Sequence, residues 1–110
     1  MLVVSNLRMG IEKLLKNVVY LHLCSQGYKV AIGQLQNGEV DFVAERGGAR
    51  LYVQVCYMLA TQETIDREFG NLKRIKDDYP KKVVCMDTLA TEENYDGIEC
   101  LHVRDFLTQV

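Results

Sequence analysis

The 110-residue sequence contains no tryptophan, one proline and two histidines. None of its apolar runs approaches the roughly 18 residues that span a bilayer, which excludes a transmembrane helix. With so little proline and no low-complexity tract there is no linker, so a single domain over residues 1–110 with one core is expected. No repeat with a period of about 20–50 residues is present. An excess of one charge is also missing. The 13 basic and 15 acidic side chains leave a net −2, which argues against the dominant basic field of a dedicated nucleic-acid binder but leaves room for a local patch. No Gly-x-x-x-x-Gly-Lys-Ser/Thr stretch occurs, so nucleotide binding through a P-loop is not expected. Cys24, Cys56, Cys85 and Cys100 form no Cys-x-x-Cys pair and lie in or beside apolar runs. They read as reduced, buried small hydrophobes. His22 and His102 have no partner at ligand spacing, which argues against zinc. The start, "MLVVSNLRMG", lacks the form of a signal peptide, and a cytoplasmic protein with no membrane partner is expected.

What is present is clear periodicity. From Arg8 to Gln26, Ile11, Leu14, Leu15, Val18, Val19 and Leu23 recur at helical spacing, with Glu12, Lys13, Lys16, Asn17 and Tyr20 on the other side. His22 falls at the stripe's edge as a packed histidine, and Gly27 supplies the stop. Strands are expected over Tyr28–Leu35, Glu39–Glu45 and Arg50–Tyr57, separated by the tight-turn pairs Asn37-Gly38 and Gly47-Gly48. Thr61 is placed to cap a second helix running to about Asp77, with Ile65, Phe69, Leu72 and Ile75 inward and Gly70 as a modest interruption. Tyr79-Pro80 breaks that helix. "KKVVCMD" reads as a buried strand, Asn94 to Gly97 as part of a polar loop, "IECLHV" as a strand and "RDFLTQV" as a closing helix. The order α-β-β-β-α-β-β-α describes an α/β domain, a mixed central sheet flanked by helices.

The stretch "EVDFVAERGGARLYVQVCY" (39–57) concentrates the chemistry. A two-residue turn at Gly47-Gly48 sets Arg46 against Ala49, Glu45 against Arg50, Asp41 against Gln54 and Glu39 against Cys56. Directly opposed residues share a face. Val40, Phe42, Ala44, Leu51, Val53, Val55 and Tyr57 then form the core side, and Glu39, Asp41, Gln54 and Cys56 a polar cluster opposite. An equally tight Asn37-Gly38 turn would bring Gln34 beside Asp41. Two readings fit this cluster: a catalytic remnant, or an aspartate that simply accepts hydrogen bonds from Gln54 on a half-covered face.

The arrangement resembles the PD-(D/E)XK nuclease superfamily, with its restriction-endonuclease-like fold. That family carries a glutamate on the first helix, an aspartate on the second strand and Glu-x-Lys or Gln-x-Lys on the third. Here Asp41 and Gln54 stand thirteen residues apart, and the element order agrees. A closer resemblance is to the C-terminal domain of unknown function carried by archaeal and bacterial AAA-type ATPases. It rests on "KLLKNVVYLHLCSQGYKV", "EVDFVAERGGARLYVQVCY", "ETIDREFGNLKRIKDDYPKKVV" and "DGIECLHVRDFL". The resemblance implies a nuclease-like module that accompanies an AAA-type ATPase domain, in the same or a neighbouring chain.

Measured against the family's pattern, only Asp41 is retained. Lys16 stands where the first helix usually offers glutamate, with Glu12 one turn earlier on the same side. Gln54 is a variant that some members tolerate, and Cys56 replaces the lysine. Cleavage would require a hard cation such as magnesium, held by carboxylates and substrate phosphate, with Asp41 as its ligand. Losing one preorganised donor like the missing lysine costs on the order of 10²–10³ in rate. Two functional expectations follow. The first is a non-catalytic, nuclease-like appendage that contacts a partner or DNA and needs no cofactor. The second is a weak magnesium-dependent DNA endonuclease using Asp41, Gln54 and either Glu12 or Lys16. Arg67, Lys73, Arg74, Lys81 and Lys82 offer a basic edge, diluted by Glu63, Asp66, Glu68, Asp77 and Asp78 into what reads as an ordinary solvated face. A homodimer remains open, although no unexplained apolar stripe marks an interface.

Overall fold

A long amphipathic helix opens the chain. In the computed structural model, which describes residues 2–35, 38–59, 61–87 and 94–109, helix α1 spans Leu2–Ser25. Three strands follow, β1 (Lys29–Leu35), β2 (Gly38–Arg46) and β3 (Ala49–Cys56), then helix α2 (Gln62–Lys73) and strand β4 (Lys81–Cys85). The chain closes with β5 (Asn94–Tyr95), β6 (Ile98–His102) and helix α3 (Val103–Gln109). The order is the expected one apart from the two-residue β5. That strand forms where a plain loop was anticipated, because Asp96 and Gly97 adopt φ of 53° and 85°, the conformation of a tight hairpin turn.

The sheet runs β1-β2-β3-β4-β6-β5. β1, β2 and β3 form an antiparallel meander, while β4 lies parallel to both β3 and β6. The parallel step from β3 to β4 needs a crossover, and α2 supplies it. Gly47 and Gly48 have φ of 56° and 84°, the twist-matched hairpin turn that the glycine pair predicts. At the first hairpin the expectation is corrected. Leu35 pairs with Gly38, so Gly38 belongs to the strand; Asn37 lies outside the described residues.

Helices cover both faces of the sheet. On one face Leu15, Val19 and Leu23 of α1 and Phe106 of α3 sit over Ala44, Leu51, Val53, Val55, Val84 and Leu101. On the other, Phe69 and Leu72 of α2 sit over Val40, Tyr52, Cys56, Val83, Cys85, Ile98 and Cys100. Each fully buried apolar side chain contributes about 1.5–3 kcal/mol. The face expected to be polar is therefore largely a second core. The inward stripe of α1 is also narrower than expected. Among its described side chains only Leu15, Val19 and Leu23 are buried, while Leu14 and Leu21 are each 64% exposed. His22 packs edge-on against Phe106 with ring centroids 5.5 Å apart, as a packed histidine should.

Thr61 caps α2 as its sequence suggests, its Oγ1 accepting the Thr64 N–H at 3.2 Å. The helix stops at Lys73 rather than near Asp77. The Asp77 carboxylate instead accepts from the Tyr52 hydroxyl, the Tyr79 N–H and the Lys81 ammonium, which ties the loop to β3 and β4. Among the described residues no helix is long and apolar enough to cross a membrane.

Candidate functional site

The site lies where β2 and β3 part. Their ladder runs from Arg46 opposite Ala49 to Phe42 opposite Val53, in the expected register. One step further, side chains take over from the backbone. The Asp41 N–H donates to Gln54 Oε1 at 2.8 Å, and the Val55 N–H donates to Asp41 Oδ2 at 2.8 Å. Each side chain thus satisfies a strand amide left without a ladder partner, so a buried glutamine is tolerated within an apolar strand. Gln54 is the buried polar residue among those described.

A bulge in β2 assists the opening. Between the pairs Ala31–Val43 and Gly33–Val40, Asp41 and Phe42 stand opposite the single residue Ile32, so Val40, expected on the same face as Ala44, joins the α2 side of the sheet. Gln34 pairs with Glu39, because the hairpin closes at Leu35 and Gly38, and does not lie beside Asp41. Gly33 is required there, since a Cβ would approach Val43 Cγ2 to 2.6 Å. Bulges of this kind re-aim side chains at a strand's end. Glu39 is likewise displaced from its expected place against Cys56. It is exposed, and its carbonyl accepts from the Asn71 amide of α2.

Two helices close around Asp41. From α1, Lys16 places its Nζ 3.4 Å from Asp41 Oδ1. Both Asp41 oxygens are therefore engaged, one by a backbone amide and one by an ammonium. From α2 comes Glu68, which its sequence position suggested was a solvated-face acid. Its side chain is only 12% exposed and pairs with Arg67 at 3.7 Å. Burial, reinforced by the nearby Asp41 charge, pushes its carboxyl up to about 7. The signal in the sequence was positional, because Glu68 lies three residues after Ile65 and four before Leu72, at the margin of the buried stripe. Glu12 adds to the negative field on Glu68 and lines a small cleft of about 180 Å³ with Cys56, Met58, Thr61, Thr64 and Arg67.

Cys56 is buried against Leu59 and Phe69, and its thiol donates to the Met58 carbonyl at 3.0 Å. Burial, then the Glu68 and Glu12 charges, pushes it up to about 12. It remains a neutral thiol at working pH, unable to act as a cation or as a thiolate ligand.

Of the expected residues, then, Asp41, Gln54 and Lys16 converge directly. Cys56 and Glu12 border the same region, and Glu68 completes it. The donor set fits magnesium poorly. Asp41 is committed to Lys16 and Val55, Gln54 Oε1 to a backbone amide, and Glu68 disfavours its ionised form. Among the described residues no three His, Cys, Asp or Glu side chains group as metal ligands.

The cations of the expected basic edge have acidic neighbours. Arg67 pairs with Glu68, Lys73 with Asp96, Lys81 with Asp77 and Lys82 with Glu99. Arg74 donates to Asn71.

No protein-family model matches the chain. Over 95 residues, 86% of its length, it is 37% identical to an uncharacterized protein of Haemophilus influenzae. That stretch is 23% of the relative, so the chain spans about a quarter of the length of the curated protein it matches.

Proposed function

We propose that this chain is a nuclease-like module of the PD-(D/E)XK kind, with a restriction-endonuclease-like fold, that has lost metal-dependent cleavage. It serves as a cytoplasmic interaction or DNA-contacting appendage of an AAA-type ATPase. The observation that carries this reading is the Lys16–Asp41 ion pair at 3.4 Å. An ammonium occupies one side of the carboxylate that would have to bind a divalent cation, and like charges so close oppose each other. The neutral Cys56 thiol, in place of a lysine, supports the same conclusion from the other end of the site. The length of the Haemophilus relative leaves room for the ATPase domain.

The alternative is a weak magnesium-dependent endonuclease acting through Asp41 and Gln54, and one feature favours it. Glu68 adds a buried carboxyl beside Asp41, where magnesium is usually held by one or two carboxylates. Plasmid and branched DNA incubated with magnesium or manganese, using wild type and Asp41→Ala, separates the two. The appendage reading expects no cleavage by either protein and no calorimetric metal binding. Cleavage by wild type that disappears in Asp41→Ala would refute it.

A further inference from the structure

We draw no further inference here: the strongest candidate, the cleft of about 520 Å³ between the end of α2 and the turn joining β5 to β6, is lined by lysines whose charge neighbouring aspartates cancel, Lys73 by Asp96 and Lys81 by Asp77, and nothing in the structure shows what would fill it.

Discussion

Replacing Asp41 tests the physics of the site independently of any activity. Asp41 Oδ2 is the acceptor for the Val55 N–H, and Val55 is 1% exposed. Truncation to alanine leaves that amide buried and unpaired, at a cost of about 1–3 kcal/mol. The partner ion pair contributes less. Lys16 is 40% exposed, and such pairs are worth at most about 1 kcal/mol. Asp41→Ala should therefore lose about 2–3 kcal/mol, a fall in Tm of roughly 10 °C or more for a domain of this size. Asp41→Asn keeps an oxygen of the same reach for the Val55 amide and gives up only the charge, so its loss should be near 1 kcal/mol. Lys16→Met, which removes the same ion pair from the other side, should likewise cost no more than about 1 kcal/mol. Urea unfolding followed by circular dichroism gives all three values, and unchanged slopes would show that the denatured state is unaffected. If asparagine proves as damaging as alanine, the carboxylate is held by its charge and not by the strand amide. The role given to Asp41, as the acceptor that replaces a ladder partner for the Val55 amide, would then be wrong.

Glu68 makes a pH-dependent prediction. Its carboxyl sits at about 7 in the fold against an ordinary 4.5, so the fold favours the protonated form. Stability from this group is full below the unfolded value, falls as pH rises through the window between the two, and is flat above it. The gap corresponds to at most about 3 kcal/mol. Glu68→Gln should remove this slope and make the variant the more stable protein above neutrality; parallel curves for the two proteins between about pH 5 and 8 would contradict the burial argument. Thiol labelling provides a third check. Cys24 is exposed, whereas Cys56, Cys85 and Cys100 are buried. One thiol should react rapidly with an aromatic disulfide reagent in the native protein and three only on unfolding, so fast labelling of two or more would mean that the α2 side of the sheet is open.

Much of the architecture was legible because it is written in local geometry. Two consecutive glycines at positive φ admit a single hairpin twist, and that turn alone sets Phe42 against Val53 and brings Asp41 to Gln54. Thr61 marked the start of α2 because a hydroxyl there satisfies an otherwise free helical amide. Lys16 was recognisable as a first-helix neighbour of Asp41, because the resemblance supplied the long-range pairing that periodicity lacks.

What the sequence could not decide was which surfaces meet. Helix α1 has apolar residues on two sides, and its period alone gives no reason to bury Leu15, Val19 and Leu23 while leaving Leu14 and Leu21 in water. The alternation in β3 assigned Gln54 and Cys56 to a polar face. Tertiary packing laid α2 over that face, turned Cys56 into core and drew Glu68 under cover beside Asp41. A side chain's burial, and with it its proton affinity, depends on what lies across from it in space. Turns and spacings determine the elements and their register, while only the assembled layers determine that environment.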